Sequence, residues 1–317
     1  MATFDVSVIG ELNLDVILSG LPAEMTMEQE HLATDLRITL GSSSAIFAHN
    51  LATLGNKVSF SSAIGSDPLG EICLHRLGES GVDLSHVRRM AGKTTGLTVI
   101  LPQGKQRYIL TYPGTMFEMS EKDLDLGYLY DAKHLHVSSY FLQKGMQSSL
   151  VDIFRKAKEV GLTTSLDTND DPEDRWPSEL HSLLKHTDVF LPNEREACKL
   201  TRMANAEKAA EFLSEQVPVV VVKLGAQGVL ARVSKQRFVA FPPEVEVADH
   251  VGAGDSFDAG FLHQFIRGGK IEECLAFGNI VAALSVTRPG GTEAFRDRDY
   301  RELFLRAESA KARSRGT

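Results

Sequence analysis

The sequence DHVGAGDSFDAGF, at residues 249–261, changes its pattern in the middle. Before it the chain alternates apolar and acidic residues, as a half-buried strand does. After it phenylalanines recur every four positions, which is typical of the buried face of a helix. The two patterns predict a strand that leads into a helix starting near Asp255, and the junction consists of Gly252, Ala253 and Gly254.

This junction, called the anion loop below, has the properties of an anion-binding site that also carries an acid. The first N–H groups of a helix have no partner within the helix, and together with the helix dipole they attract negative charge. Glycine lets such a backbone approach a bulky ligand closely. Two interpretations of Asp255 remain open at this point. It is either a helix cap, for which aspartate is favoured, or a base that takes a proton from a hydroxyl beside a bound phosphate.

The composition is that of an ordinary globular protein and argues against several classes of partner. The chain has 317 residues, and its 34 Lys and Arg against 42 Asp and Glu give a net charge of −8. We therefore expect no nucleic-acid partner, because such binding relies on clustered basic residues. The three cysteines are Cys73, Cys198 and Cys274, and their spacing predicts neither a disulfide framework nor a C-x-x-C metal site.

The first residues, MATFDVSVIG, lack the features of a signal peptide and predict a buried strand instead. The most apolar run, VPVVVV from Val217, is far too short to span a membrane. We therefore expect a cytoplasmic protein that has no membrane association.

Short β-branched runs alternate with helical patterns along most of the chain. Such alternation predicts an α/β fold with a mainly parallel sheet covered by helices on both faces. The sequence has no clear linker and no internal repeat, so residues 1–317 are expected to form a single domain. Two stretches, at about 14–40 and 93–117, look like strands without intervening helices, and Gln103 and Gly104 lie near a predicted hairpin turn. These stretches are expected to form a small antiparallel sheet, a lid, beside the core.

Two common nucleotide-binding motifs are missing from the sequence. The pattern G-x-x-x-x-G-K-[ST] does not occur, and G-x-G-x-x-G fails because Phe257 stands where the third glycine would be. The sequence therefore argues against a P-loop NTPase and against an ordinary dehydrogenase.

The stretch DHVGAGDSFDAGF resembles the C-terminal signature of the ribokinase-like (PfkB) carbohydrate kinases, D-T-x-G-A-G-D, with His250 in place of threonine. Four other segments resemble family motifs and follow in the family order: VIGELNLD, LPNEREA, VVKLGAQG and FGNIVAALSVTRPGG. The resemblance extends from about residue 5 to about residue 300. It implies a three-layer α/β/α core with a small β lid.

The resemblance implies ATP-dependent transfer of a phosphoryl group to a hydroxymethyl group of a sugar or sugar-like substrate. Asp255 would be the general base, and the N–H groups of Gly252, Ala253 and Gly254 would stabilise charge on the transferred group. The two extended stretches would close over the sugar and exclude water. The residues implied in binding the sugar are Asn13, Asp15, Gly41 and Ser42.

The resemblance also implies sites for ATP and for two kinds of cation. Mg²⁺ would bridge the ATP phosphates, and it would be held largely through water that Glu196 organises. A monovalent cation, expected to be K⁺, would be bound beside the anion loop. The residues implied for the nucleotide are Asn193, Lys223, Gly225, Gly228 and Asn279. The residues implied for the monovalent cation are Asp249, Val251, Ser285 and Gly290.

The sequence departs from the family pattern at two places. The family motif G-G-x-x-x-N is represented by Gly41, Ser42 and Ile46, so an amide that usually binds a sugar hydroxyl is missing. The D-x-N segment keeps Asp167 and Asn169 but lacks the usual nearby arginine. The loss of the amide does not affect the predicted chemistry, but it leaves the identity of the acceptor open.

Several of these residues also have ordinary structural explanations. Asn13 and Asp15 follow a strand, where turns favour such residues. Glu196 fits a residue near a capped helix start, which is the commoner meaning of N-x-x-E. Lys223 fits an exposed lysine at a strand end, and Asp258 fits a structural residue of the helix. It is the joint order of the motifs that favours the functional interpretation.

Two rival functions remain open. A nucleoside kinase of the same family is supported by Ile46, because an apolar wall suits a base better than a bare sugar. A non-catalytic sugar-binding relative is disfavoured by the intact anion loop and Asp255. The exposed edges of the lid strands would also allow a homodimer through edge-to-edge pairing.

Overall fold

The computed structural model describes residues 2–104 and 106–315 of the chain. Within these residues, strands and helices alternate as the sequence predicts, and the strands form two sheets. The strands are β1 (Phe4–Ile9), β2 (Asn13–Ser19), β3 (Asp35–Leu40), β4 (Val58–Gly65), β5 (Val87–Met90), β6 (Gly96–Gln103), β7 (Gln106–Tyr112), β8 (Ala132–Ser138), β9 (Thr163–Asp167), β10 (Val189–Phe190), β11 (Val219–Lys223), β12 (Val229–Val233) and β13 (Gln236–Ala240). The helices are α1 (Ser43–Thr53), α2 (Pro68–Gly78), α3 (Leu126–Leu129), α4 (Gln147–Glu159), α5 (Leu180–Leu184), α6 (Glu194–Thr201), α7 (Ala206–Leu213), α8 (Ala253–Phe265), α9 (Ile271–Ser285), α10 (Glu293–Arg296) and α11 (Arg298–Arg315).

The larger sheet has nine strands in the order β13-β12-β11-β10-β9-β8-β1-β4-β5. The strands from β11 to β5 pair in parallel, whereas β12 and β13 run antiparallel at one edge. Buried side chains of α4 to α7 pack on one face of this sheet, and those of α1, α2, α8 and α9 pack on the other. In β11, Val220 and Val222 join the first cluster, and Val219 and Val221 join the second. A strand buried on both faces needs such a continuous apolar run, and the predicted three-layer core is confirmed.

The smaller sheet has the order β3-β2-β6-β7 and comes from the two stretches predicted as a lid. The sequence predicts an antiparallel sheet, but the sheet is mixed, because the central strands β2 and β6 pair in parallel. These strands are not joined by a hairpin, since the connection between them runs through the core. Asp15 lies opposite Thr39 and Thr98, and Thr98 lies opposite Thr111, so a row of polar side chains crosses one face.

The turn between β6 and β7 lies where the sequence predicts it. Gln103 pairs with Gln106, and Gly104 between them has a φ of 60°, which favours glycine. Residue 105 of this turn lies outside the described part of the chain.

The carboxyl ends of the parallel strands meet at one edge of the larger sheet, which is where open α/β sheets bind ligands. Asp167 ends β9 and Lys223 ends β11 at this edge. Helix α8 begins there as well, at Ala253, two residues before the predicted start. The earlier start follows from Gly252, which serves as the N-cap in a left-handed conformation.

Two further features concern the chain as a whole. The three cysteines are unpaired, with Cys73 and Cys274 buried and Cys198 half-buried. In residues 2–104 and 106–315, no helix is both long enough and apolar enough to cross a membrane.

Candidate active site

Gly252 opens the anion loop in a conformation that other residues rarely adopt. Its φ is 72°, and a Cβ at this position would lie 2.7 Å from Gly291 Cα and 3.0 Å from Ile46 Cγ2. Ser256 closes the turn, since its hydroxyl donates a hydrogen bond of 2.6 Å to the Gly252 carbonyl. The turn itself therefore requires glycine, and it leaves the first N–H groups of α8 without helical partners.

Asp255 lies in the first turn of α8 and is 9% exposed. Burial raises the pKa of its carboxyl to about 7, and the negative charge of Asp167 adds to the shift. The positive charge of Lys223 and a hydrogen bond from Ser43 act in the opposite direction. Because the N-cap of α8 is Gly252, the interpretation of Asp255 as a helix cap is wrong. A carboxyl with a pKa near neutrality can instead accept and release a proton.

Lys223 lies beneath the anion loop and holds two carboxylates together. Its Nζ is 2.8 Å from Asp167 Oδ2 and 3.0 Å from Asp258 Oδ2, and 11% of its side chain is exposed. Burial opposes the charge on Lys223, but the two carboxylates outweigh this effect and raise its pKa. The interpretation of Lys223 as an exposed lysine is therefore wrong. Its ammonium has three N–H groups and donates to three carboxylate oxygens, so a contact with a nucleotide phosphate would have to replace one of these hydrogen bonds.

Asn193 and Glu196 form a capping box at the start of α6. Asn193 Oδ1 accepts a hydrogen bond of 3.0 Å from the Glu196 N–H, and Glu196 Oε2 accepts one of 2.9 Å from the Asn193 N–H. Burial, together with the charge of Asp167, raises the pKa of the Glu196 carboxyl. The backbone of Asn193 bridges to Lys223, which brings the N-x-x-E motif to the same edge of the sheet. The capping interpretation is confirmed, and the buried carboxylate lies beside the candidate site.

A cavity of about 330 Å³ adjoins the anion loop. It lies between this loop, the turn after β11 and the helix α9. Asn279 is 3% exposed, and its Nδ2 has no hydrogen-bond partner in the part of the chain that the structure describes. Gly228 has a φ of 90°, and a Cβ there would lie 2.1 Å from the Ala240 carbonyl oxygen. The cavity is lined by these predicted site residues: Lys223, Gly225, Gly228, Ala253, Gly254 and Asn279.

Asp249 connects the segment before the anion loop to the loop after α9. Its Oδ1 accepts a hydrogen bond of 3.1 Å from the Val251 N–H, and its Oδ2 accepts one of 3.0 Å from the Gly290 N–H. Ser285, at the end of α9, is 1% exposed, and its hydroxyl has no hydrogen-bond partner among the described residues. The four residues Asp249, Val251, Ser285 and Gly290 were predicted to bind one cation. Hydrogen bonds join Asp249 to Val251 and Gly290 but not to Ser285.

Asp15 and Gly41 lie next to each other where the smaller sheet meets the core. Asp15 is 7% exposed, burial raises the pKa of its carboxyl to about 7, and the charge of Asp255 adds to this. A Cβ at position 41 would lie 2.3 Å from Asp15 Oδ1, so only glycine leaves room for the carboxylate. Asn13 belongs to the same strand, and its Nδ2 donates a hydrogen bond of 3.2 Å to Thr98 Oγ1.

Ser42 has structural partners for its hydroxyl. The hydroxyl oxygen accepts a hydrogen bond of 3.2 Å from the Ala45 N–H, and the hydroxyl donates one of 2.5 Å to the Glu11 carbonyl. The residue caps α1 with a φ of 69°. Its side chain therefore has no free donor for a sugar hydroxyl, although it was predicted to contact the substrate.

Ile46 does not form an open apolar wall. It is 2% exposed, and it packs against the backbone positions of Gly252 and Gly291. The isoleucine that replaces the family asparagine thus supports the anion loop from below. Because Ile46 packs against the anion loop and forms no open wall, it no longer supports a nucleoside as the acceptor.

Sequence reasoning missed several side chains of the site, because they come from separate segments. Thr98 and Thr111 extend the polar row beyond Asp15, and their hydroxyl oxygens lie 3.2 Å apart. Arg107 lies on the same face of β7, and its charge lowers the pKa of Asp15. The alternation of side chains along β6 and β7 was the one signal that could have indicated these residues.

A larger groove, of about 1050 Å³, lies away from this edge, between α1 and α11. Its arginines are largely paired with acids: Arg288 lies 2.9 Å from Asp297, and Arg296 lies 2.9 Å from Glu79. Predicted site residues line the cavity at the anion loop and not this groove.

The chain is similar to known proteins over nearly its whole length. The profile of the family described as pfkB family carbohydrate kinase matches residues 3–298. A ribokinase of Haemophilus influenzae is 28% identical, over 94% of this chain and 97% of its own. A 2-dehydro-3-deoxygluconokinase of Bacillus subtilis is 26% identical, over 96% and 99% of the two chains.

A solved structure shows the same fold with the nucleotide bound. It is an E. coli protein assigned as ribokinase II, in complex with ATP and Mg²⁺, with a TM-score of 0.84 and 26% identity over 96% of this chain and 99% of that one. The expected ribokinase-like fold is thereby confirmed. The family profile covers nearly the whole chain, and so the protein belongs to the pfkB family of carbohydrate kinases.

Proposed function

We propose that this sugar kinase transfers the γ-phosphoryl group of ATP to a hydroxymethyl group of a sugar or sugar-like alcohol. The observation that carries the proposal is the position of Asp255. Asp255 follows the anion loop directly, and the cavity lined by Asn279 adjoins that loop. The negative charge of Asp255 also raises the pKa of Asp15, which lies in the smaller sheet. In this proposal Asp255 lies between the nucleotide and the acceptor hydroxyl.

The transfer needs a base, an in-line donor and stabilisation of charge. Asp255 takes the proton of the acceptor hydroxyl, and the hydroxyl oxygen forms a bond to the γ-phosphorus. The bond between that phosphorus and the bridging oxygen breaks, and ADP leaves with the electron pair. The N–H groups of Gly252, Ala253 and Gly254 donate to the transferred group, where they act without reorganisation.

The cavity beside the anion loop fits the nucleotide. Its walls include Val229, Val245, Val247 and Val286, which offer apolar contact to a purine. The buried amide of Asn279 supplies a donor that nothing in the described chain satisfies. Gly225 and Gly228 allow the backbone to approach the phosphates.

The residues present fit both cations in supporting roles. The Glu196 carboxylate already accepts hydrogen bonds from Asn193 at both oxygens, so it would hold Mg²⁺ indirectly, through water. Mg²⁺ bound to ATP supplies charge neutralisation on the phosphates. The Ser285 hydroxyl, which has no hydrogen-bond partner among the described residues, directly precedes Val286, whose carbonyl accepts from the Asp249 N–H, and it would fit a K⁺ that fixes the loop.

The acceptor pocket favours a neutral polyhydroxy compound. Asp15, Asp255 and the buried Glu11 provide carboxylates close to one another. Asn169 Oδ1 is a further buried acceptor without a partner among the described residues. The cation whose charge lowers the pKa of Asp15 is Arg107, which is exposed on β7. Acceptors of hydrogen bonds therefore outnumber cations, which suits hydroxyl groups better than a carboxylate or phosphate.

The smaller sheet acts in this proposal as a lid that closes over the acceptor and excludes water. The protein is further proposed to work in the cytoplasm, where unpaired cysteines persist. It would form a homodimer through its lid strands.

A screen of acceptors tests the proposal. ADP release would be measured with ATP, Mg²⁺ and KCl against neutral hexoses, pentoses, ketoses and polyols, with sugar acids, sugar phosphates and nucleosides as comparison groups. We expect turnover with a neutral sugar, and its loss in Asp15→Ala. Turnover restricted to nucleosides would support the rival kinase. ATP binding without turnover on any acceptor would support the non-catalytic alternative.

A further inference from the structure

One buried amide connects the anion loop to the loop that follows α9. Asn50, near the end of α1, is fully buried. Its Nδ2 donates a hydrogen bond of 2.9 Å to the Gly291 carbonyl and another of 2.9 Å to Ser256 Oγ. Ser256 in turn donates one of 2.6 Å to the Gly252 carbonyl. Asn50 therefore joins three segments, although its partners are 206 and 241 positions away in the sequence.

The chemistry of these groups fixes the direction of every hydrogen bond. A carbonyl oxygen can only accept, so the Asn50 amide presents its nitrogen to Gly291. The amide oxygen then faces His49, whose Nδ1 lies 2.9 Å away and must carry the hydrogen. Burial lowers the pKa of His49 to about 4, so the ring is neutral near neutral pH and has one N–H to donate. Ser256 donates to the Gly252 carbonyl, and its oxygen accepts from Asn50.

The two loops that Asn50 joins lie against each other. A Cβ on Gly252 would lie 2.7 Å from Gly291 Cα, so the two backbones approach as closely as glycine permits. Ile46, one helical turn before Asn50, packs beside both glycines. Apolar packing at Ile46 sets how closely the loops approach, but it has no direction. The hydrogen bonds of Asn50 supply the direction, because they hold particular carbonyl groups.

The orientation of the Gly252 carbonyl matters for the N–H groups of the anion loop. This carbonyl and the Ala253 N–H belong to one planar peptide group, so a bond that holds the carbonyl also aims the N–H. The Ala253 N–H makes only a long hydrogen bond of 3.4 Å, to the His250 carbonyl. It is therefore available to a stronger acceptor, such as a phosphoryl oxygen. Donors of this kind stabilise a transition state only where they point at the developing charge.

We propose that Asn50 is a positioning residue, which aims the Ala253 N–H at the transferred phosphoryl group through Ser256 and Gly252. This inference rests on the proposed function, in which the anion loop stabilises that group. The asparagine of the family motif is Ile46 in this chain, and the amide one helical turn later holds the anion loop instead of a sugar hydroxyl.

The test compares wild type with Asn50→Ala, Ser256→Ala, the double variant and Asn56→Ala. Asn56 is the matched control, because it is also a buried amide that bonds a backbone carbonyl and a histidine. Its Nδ2 lies 2.8 Å from the Leu51 carbonyl and 2.9 Å from His263 Nδ1, and these partners lie outside the anion loop.

Three measurements are made on each protein. The first gives kcat and the KM for ATP, with the acceptor found in the screen. The second is the ¹H–¹⁵N heteronuclear NOE of the Gly252, Ala253 and Gly254 amides, which reports their order in the free protein and needs no acceptor. The third is the free energy of unfolding from urea titration, which shows that each variant is folded where its rate is measured.

In Asn50→Ala we expect kcat to fall about tenfold to a hundredfold, as displaced catalytic groups do. The KM for ATP should change less, because the anion loop stabilises the transferred group most strongly in the transition state. The NOE of the three loop amides should fall as well.

Ser256→Ala keeps the bond between Asn50 and Gly291, and removes only the link to Gly252. It should reproduce most of the loss of kcat and of the NOE. The double variant should be no slower than Asn50→Ala, because both changes break the same chain of hydrogen bonds. Asn56→Ala should lose stability, since it leaves buried groups unpaired, but it should keep the wild-type kcat and NOE.

An unchanged kcat or an unchanged loop NOE in folded Asn50→Ala would overturn the inference. Equal losses of kcat in Asn50→Ala and Asn56→Ala would also overturn it, because the effect would then be a general loss of stability. If Asn50→Ala does not fold, a wild-type kcat in Ser256→Ala overturns the inference instead.

Losses that multiply in the double variant would likewise contradict it, because Asn50 and Ser256 would then act independently. A wild type that phosphorylates no acceptor would overturn the proposed function itself, whereas the NOE comparison would still test whether Asn50 orders the anion loop.

Discussion

The Nζ atom of Lys223 lies 3.0 Å from Oδ2 of Asp258, the residue one helical turn after Asp255 in α8. Both side chains are buried, and Lys223 also binds Asp167 at 2.8 Å. The ion triad therefore joins β9, β11 and α8 at the edge where the anion loop begins. It fixes the helix that carries the proposed base, and of its three members Lys223 alone lines the cavity beside the anion loop.

Removal of Lys223 should destabilise the fold. In Lys223→Met the carboxylates of Asp167 and Asp258 lose their buried partner, which costs about 3–5 kcal/mol. The free energy of unfolding from urea titration measures this. The control is Lys199→Met, which breaks an exposed pair with Asp174 of 2.6 Å and should cost less than about 1 kcal/mol. Equal losses in the two variants would mean that the triad contributes no more than a surface pair.

Substitution of the base should stop turnover and spare binding. We expect Asp255→Asn to lower kcat by about 10²–10⁴, the usual contribution of a positioned base. ATP binding, measured by calorimetry, should stay close to wild type, because the anion loop and the cavity are unchanged. If Asp255→Asn turns over at nearly the wild-type rate, Asp255 has only a structural role.

Activity should decline on the acid side of neutrality. Burial raises the pKa of both Asp255 and Asp15 to about 7, and each must be ionised to act. Activity is therefore present above this pH and is lost as the pH falls through about 7. The profile of kcat/KM between pH 6 and pH 9 measures this, with circular dichroism as the control for folding. A flat profile down to pH 6 would contradict the assigned roles.

A monovalent cation should activate the enzyme. The motive is the Ser285 hydroxyl, which has no hydrogen-bond partner in the described part of the chain and precedes the loop that Asp249 ties to Gly290. Rates in KCl should exceed those in tetramethylammonium chloride at equal ionic strength. Asp249→Asn should lose this difference, because it removes the carboxylate. Equal rates of wild type in the two salts would exclude the cation site.

The protein should associate through its lid. The face of the smaller sheet opposite the polar row exposes Leu36, Ile38, Tyr108, Leu110 and Tyr112, with Leu110 at 56%. Contiguous apolar surface of this kind indicates an interface.

Light scattering after size exclusion should give a dimer for wild type and weaker association for Leu110→Lys. The control is Val160→Lys, which adds the same charge. Val160 is an apolar residue at the end of α4 and is 50% exposed. A wild type that is monomeric at micromolar concentrations would contradict this prediction.

Much of the protein was determined by its sequence alone. The α/β core follows from local patterns, such as the four valines of β11, whose side chains enter both faces of the sheet. The anion loop was also readable, because a tight turn before a helix needs glycine at Gly252 and the motif is contiguous. The start of α8 was off by two residues, since the cap depended on the φ of one glycine.

The tertiary structure decided what depends on contacts between distant segments. Lys223 reads as a surface residue in the sequence, yet it is buried because Asp167, 56 positions earlier, and Asp258, 35 positions later, compensate its charge. Ile46 reads as a wall of the sugar pocket, yet it packs under the anion loop. The hydrogen bond between Asn169 and Ser43 links residues that no local pattern connects. Secondary structure is set by neighbours in sequence, whereas the partners of a buried polar group are set by which strands and helices the fold brings together.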